Sequence, residues 1–225
     1  GVGCAIARAP LARLAALHEG HPFAGGSLTE DYEFGLRIGE LGLKTMFVRM
    51  PAVPGNRGVV ASRGHFPSSL GEAVRQKARW LGGIALTGWD RLGWSGGLGE
   101  RWMRLRDRRG PIAALLLLSG YLAAFLWSQL WLAKALGAPV ELQISPLLAT
   151  LLWINLWLLV WRILMRALFT ASAYGWAEGM RSVPRLVVGN IIAILAAFRA
   201  LTIYLSRVPP AWEKTRHVFP KELSA

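Results

Sequence analysis

The pattern of apolar and polar positions divides the chain near Gly110. Before it, apolar residues come in short periodic groups between turn residues; after it come three long apolar runs. In the first part, "PLARLAALHEG" predicts a short helix with Pro10 at its start and Gly20 past its end. "SLTEDYEFGLRIGELG" predicts the next, with Ser27 and Glu30 as a capping box and Gly42 as the C-terminal stop. Residues 2–7 and 44–49 read as short strands. Pro51, Pro54, Gly55 and Gly58 mark a loop. Ser69 and Glu72 form a second capping box, opening a helix that runs to about Gly93. Alternating helices and strands make residues 1–68 part of an α/β domain.

The runs over 111–136 and 146–167 are each long enough for the ~20 apolar residues that a bilayer span needs. The third, 185–207, holds Asn190 and Arg199, and a central Arg costs on the order of 2.5–3.5 kcal/mol to insert. It therefore reads as interfacial or spanning. The loop "GAPVELQIS" carries one Glu and no Lys or Arg, whereas Arg residues crowd before the first run and after the second. The positive-inside rule then places residues 1–110 in the cytoplasm, with 208–225 as a cytoplasmic linker. This favours two spans and an in-plane third helix.

Charge sharpens this picture. The 225 residues include 26 Lys and Arg against 13 Asp and Glu, a net charge of +13, with a mean hydropathy of +0.36. A basic chain can signal nucleic acid. Here Arg101, Arg104, Arg106, Arg108 and Arg109 abut the first apolar run, and anionic lipid explains them better, with no nucleic acid partner. A single cysteine, Cys4, excludes an internal disulfide. His18, His21, His65 and His217 are scattered without metal-ligand spacing. The opening "GVGCAIARAP" lacks the basic head and long apolar stretch of a signal peptide. It reads as the interior of a folded domain, so the chain is expected to be a piece of a longer protein.

Two groups of residues carry candidate chemistry. Glu30 and Asp31 stand in the first turn of a helix, where acid offsets the macrodipole and where a carboxylate is also kept ionised as a base must be. Gln76, Arg79 and Trp80, at i, i+3 and i+4, share one helix face. An indole stacks on a pyranose, a guanidinium pairs with diphosphate and an amide binds hydroxyls. The same three residues also suit a helix anchored among headgroups.

Taken together, Thr29-Glu30-Asp31, then "QKARW" about 45 residues later, then apolar runs, resemble the membrane-embedded family 2 glycosyltransferases, the group of cellulose, chitin and hyaluronan synthases. "GVGCAIAR", "SLTEDYEFGLRI", "GHFPSSLGEAVRQKARWLGGIALTGWDRLGW" and "WEKTRHVFPKEL" are similar to the bacteriophage adsorption protein B branch. The resemblance implies the C-terminal half of a GT-A (Rossmann-like) catalytic domain over 1–68. A Q-x-x-R-W interface helix and basic segment would follow over 69–110, then membrane helices over 111–207. It implies that Asp31 is the general base, with Thr29 and Glu30 beside it as substrate-binding residues. Arg79 would hold the diphosphate, Trp80 would carry the acceptor, and Gln76 would orient hydroxyls. Gly3 and Cys4 would lie on a small-residue strand lining the acceptor pocket.

The implied activity is inverting transfer from a nucleotide sugar, a UDP-sugar by analogy, to a growing exopolysaccharide at the cytoplasmic face of a bacterial inner membrane. Mg²⁺ or Mn²⁺ would be held by a D-x-D motif of the N-terminal half. No D-x-D occurs here, so the fragment alone is expected to be inactive. A cyclic di-GMP-binding domain or partner is implied beyond the last helix. The F-x-V-T-x-K gate of cellulose synthase is absent, which argues against its mode of processive secretion. The alternative is a catalytically inactive membrane scaffold or phage-adsorption component. A transporter would need paired polar residues within its spans, whereas the polar constellation here precedes them.

Overall fold

Helix-forming signals dominate the fold. A computed structural model describes residues 4–23, 25–48, 50–51, 60, 67–139 and 143–207. Helices α1 (Arg8–Leu17) and α2 (Glu30–Glu40) come first. A nearly continuous helical rod follows: α3 (Leu70–Leu81), a π-helical turn (Gly82–Leu86) and α4 (Thr87–Leu92). Then come α5 (Leu98–Arg108), α6 (Gly110–Ala135), α7 (Pro146–Tyr174) and α8 (Trp176–Leu205). They group into two units, residues 1–113 with 195–225, and residues 114–194.

The strands do not form. Among the described residues there is no regular strand, so the expected α/β class is not seen. Residues 4–7 and 43–48 run without regular structure, and Phe47 is 91% exposed. A strand satisfies its amides only across a ladder. The nearest ladder contact described is the Val60 N–H to the Met50 carbonyl, 2.9 Å. Val2, Gly3, Arg49, the loop residues Pro54, Gly55 and Gly58, and the tail 208–225 lie outside the described residues.

The helix ends follow local chemistry, with shifts. α1 starts two residues before Pro10, which is tolerated because first-turn amides lack intrahelical partners. His18 closes α1, its ring Nδ1 donating to the Leu14 carbonyl at 3.0 Å. The first capping box is not formed. Thr29 is the N-cap of α2, Glu30 is its first helical residue, and the buried Ser27 hydroxyl has no partner among the described residues. Glu30 therefore sits too early to reach back as the third residue of a box. Gly42, at φ +70°, ends α2 as expected. The Gly42 and Leu43 amides bond the Gly39 and Ile38 carbonyls at 3.0 and 3.2 Å, a Schellman ending. In the second box, Ser69 Oγ accepts the Glu72 amide at 3.3 Å.

The rod runs to Gly93, as predicted, but contains the π turn. Gly82 and Gly83 offer little helix propensity there, and the Thr87 hydroxyl donates to the Gly82 carbonyl at 3.0 Å. The wide turn brings the Gly83 carbonyl close to Gly88, so that a methyl built on Gly88 would lie 1.9 Å from that oxygen. On the other side of the rod, Val74, Ala78, Leu81 and Leu86 pack on Ala196 and Ala200 of α8. Alanines there let the helix backbones come close.

Helix α5 is amphipathic with its faces reversed. Leu98 and Trp102 are 87% and 67% exposed, whereas Arg104 and Arg108, one turn apart, are 1% and 3% exposed. Arg104 Nη1 donates to the Leu92 carbonyl (2.7 Å) and the Gly93 carbonyl (3.3 Å), ending α4, and Nη2 bonds Glu40 at 2.9 Å. The juxtamembrane arginines thus divide. Arg101, Arg106 and Arg109 are exposed, but Arg104 and Arg108 do not face lipid as the sequence suggested, because carbonyl groups and aromatic rings draw them inward.

In the second unit α6 and α7 present large apolar side chains outward all round, as lipid-facing helices do. All three long helices, α6, α7 and α8, are long and apolar enough to cross a membrane. α7 continues past 167 to Tyr174, and α8 begins at Trp176, well before 185. Gly175, at φ +90°, joins them. The turn is tight: a methyl on Gly179 would lie 2.8 Å from Ala171 Cβ. Arg166 Nε donates to the Ser182 carbonyl at 3.2 Å. Asn190, costly if alone in lipid, donates to the Tyr121 hydroxyl at 3.1 Å.

Two outcomes test this packing. Gly88→Ala should destabilise the chain by at least the roughly 1–3 kcal/mol typical of overpacking, while Gly120→Ala, which meets nothing within 4 Å, stays near wild type in a detergent thermal melt. Burial acts to raise the Glu40 pKa, but Ser95 and Arg104 outweigh it and hold the carboxyl below 4.5. Its contribution is therefore present above 4.5 and lost as pH falls through the depressed value. Wild type should gain more melting temperature than Glu40→Gln between about pH 3 and about pH 6.

Candidate functional site

The TED motif touches the helical rod one turn past the Q-x-x-R-W residues, where Thr29 lies against Gly83. Helix α3 turns by about 100° per residue. Val74, Ala78 and Leu81 therefore define the face packed on α8, and Gln76, Arg79, Trp80 and Gly83 lie on the opposite face. Gly83 touches the TED motif: a methyl there would lie 2.5 Å from Thr29 Oγ1, 2.7 Å from Thr29 Cγ2 and 3.1 Å from Leu28 Cβ. Thr29 is buried, and its hydroxyl has no hydrogen-bond partner among the described residues. The start of α2 thus abuts the Gln76, Arg79 and Trp80 face, one turn beyond Arg79.

Asp31 is exposed at the second position of α2, and its Oδ1 accepts the Tyr32 amide at 2.9 Å. An ordinary aspartate carboxyl is already ionised at neutral pH, as a base must be. Glu30 is half-buried and Trp80 half-exposed, with Gln76 and Arg79 between these extremes. Desolvation pushes the half-buried Lys77 ammonium below its ordinary 10.5. Cys4 is an exposed free thiol. Gly3 and His65 lie outside the described residues. No group of three His, Cys, Asp or Glu able to hold a metal occurs among the described residues. These side chains do not fit a divalent-cation site, and no step is derived through one.

The sequence reading missed the ties that hold α2 in place. Glu33, buried, accepts from Arg37 Nη2 at 2.9 Å and pairs with Arg91 of α4 at 3.4 Å. The Glu33–Arg37 spacing of four was a visible signal; Arg91 had none. Tyr32 donates to Asp107 of α5 at 3.4 Å. Burial first, and Asp107 second, raise its phenol above 10. Glu40 reaches Arg104. The helix that starts with Thr29 and Asp31 is therefore held along its length by the rod and by α5.

The first turn of α2 and the Gln76, Arg79 and Trp80 face are the parts of the chain that carry its candidate chemistry. Comparisons with known proteins give the class. Residues 5–176 match the family described as glycosyl transferase family group 2, and the chain belongs to it. It is similar to bacteriophage adsorption protein B of Escherichia coli K12, 35% identical over 98% of this chain and 32% of the relative. It is equally similar to bacteriophage N4 adsorption protein B of Escherichia coli O157:H7, 35% identical over the same shares. The chain spans about a third of the length of these relatives. No solved structure matches it.

The Gly83 contact predicts a specific coupling. Gly83→Ala should cost about 1–3 kcal/mol. Thr29→Ala, which removes the two nearest of the three atoms that the new methyl meets, should recover part of that loss in the double variant. A double-mutant cycle on melting free energies measures the coupling; strict additivity would show that the two residues do not touch.

Proposed function

We propose that this chain supplies the general base and the acceptor- and diphosphate-binding face of an inverting glycosyltransferase at a membrane surface. The observation that carries it is the contact of Thr29 with Gly83, on the helix face that bears Gln76, Arg79 and Trp80. In this reading the acceptor hydroxyl attacks the anomeric carbon of a nucleotide sugar. Asp31 takes the hydroxyl proton as the new C–O bond forms, and the nucleoside diphosphate leaves with the bonding electrons. Direct attack inverts the anomeric centre. Arg79 pairs with the diphosphate through its planar fork, Trp80 stacks on the acceptor pyranose and Gln76 orients its hydroxyls. Gly3 and Cys4 are assigned to acceptor binding. Glu30 supports the start of α2 rather than the chemistry. The Mg²⁺ or Mn²⁺ expected at the diphosphate is assigned to carboxylates outside this chain.

The site is assigned to the cytoplasmic face of a bacterial inner membrane, with a growing exopolysaccharide as acceptor. The exposed Arg101, Arg106 and Arg109 just ahead of α6 support that orientation. The names of the relatives favour a second reading, a membrane component of phage adsorption without catalysis.

The deciding experiment measures labelled sugar incorporation from a panel of UDP-sugars into membranes bearing the full-length protein, with protein levels matched. Asp31→Asn should lower incorporation by about 10²–10⁴-fold, and Glu30→Gln should stay within a few-fold of wild type. Equal incorporation in wild type and Asp31→Asn would make Asp31 a helix-end residue only. No incorporation from any donor, even by wild type, would favour the adsorption reading.

A further inference from the structure

Arg104 and Arg108 both point inward from α5, yet only Arg104 is used in packing. Its terminal nitrogens reach two carbonyls and Glu40. The Arg108 Nε, Nη1 and Nη2 are all buried and meet no acceptor among the described residues. Asp107, beside it in sequence, is engaged by Tyr32 at 3.4 Å and Arg106 at 3.6 Å. Two indoles flank the Arg108 guanidinium, 4.8 Å from the Trp94 ring and 5.3 Å from the Trp89 ring, and Tyr32, Asp107 and Arg104 lie within electrostatic range of it. The two indoles meet edge to face at 5.1 Å and 84°.

That arrangement does not favour stability. Two cation–π contacts return roughly 0.5–2 kcal/mol each. Leaving the donors of a buried charged group unmet costs more than the ~1–3 kcal/mol of a neutral one. An apolar side chain of similar length would fit between the indoles without that loss. The cover is also thin, since Trp89 and Trp94 are themselves 41% and 37% exposed, so rotation of one indole opens the guanidinium to the surface. Arg108 precedes the first residue of α6 by two positions. If α6 crosses the bilayer, this is the level of the headgroup phosphates.

We propose that Arg108, framed by Trp89 and Trp94, is a phosphate-binding site separate from the TED and Q-x-x-R-W residues. The guanidinium fork matches two phosphate oxygens, and the indoles cover the group that the phosphate carries. The phosphate comes from a lipid headgroup or from a soluble phosphoryl ligand. The chemistry is shared and the test separates the sources. The proposal stands apart from the transferase reading, because its readouts are binding and melting rather than sugar transfer.

The test uses the intact protein in phosphate-free maltoside micelles, as wild type, Arg108→Met, Arg108→Lys and Arg106→Gln. One arm titrates pyrophosphate by calorimetry; the other adds phosphatidylglycerol and follows the rise in melting temperature that a bound ligand produces. Arg108→Met should melt at or above the wild-type temperature in bare micelles. It should also lose about tenfold or more in one arm. Loss in the pyrophosphate arm identifies a soluble ligand, and loss in the lipid arm a headgroup. Arg108→Lys, which keeps the charge without the fork, should fall between, and Arg106→Gln should match wild type in the pyrophosphate arm. Three results would overturn the proposal: no response of wild type in either arm, responses kept by Arg108→Met, or an Arg108→Met melt clearly below wild type, which would make Arg108 a packing residue.

Discussion

The close approach of Thr29 to Gly83 is the constraint on which the rest of the site depends. It admits no side chain on the rod at that point, and it joins the first turn of α2 to the face bearing Gln76, Arg79 and Trp80. The π turn is part of the same device. It is built where two glycines permit it, and it requires a third at Gly88, whose missing side chain makes room for the Gly83 carbonyl. Extra helical turns of this kind gather at functional sites because they re-aim the residues around them.

Polar ties then set the angle of α2. Glu33 holds Arg91, Tyr32 reaches Asp107, and Glu40 shares Arg104 with the end of α4. Each joins α2 to the rod or to α5. Arg104 matters most for packing, since one side chain both ends α4 and grips the last residue of α2. The cost of burying its charge is met by three acceptors. Its neighbour Arg108 has no such return, and that contrast sets it apart within the same helix.

The apolar helices follow a different rule. Most of their large side chains face outward, and close contacts between them are small or polar, Ala171 at Gly179 and Asn190 at Tyr121, while Ala196 and Ala200 of α8 pack with Ala78 of α3. Where lipid is as apolar as leucine, close backbone contact and interhelical hydrogen bonds hold helices together. Asn190, which looks like a liability in the sequence, is such a contact.

Several features could be read from the chain by itself: the helices, the Gly42 and Gly93 stops, the Ser69 cap, the three apolar runs and the family. Each rests on residues a few positions apart, or on a motif whose order survives folding. Gln76, Arg79 and Trp80 share a face for the same local reason. Tertiary structure decided the rest. The expected strands at 4–7 and 44–48 are not formed, because a strand depends on a neighbour that local sequence does not supply. Thr29, not Ser27, stands at the N-cap position of α2, without a side-chain cap bond, and lies against the rod instead. Five arginines before α6 look alike in sequence. Which of them turn inward was settled by the carbonyls of Leu92 and Gly93 and the rings of Trp89 and Trp94, whose positions depend on how α4 and α5 pack.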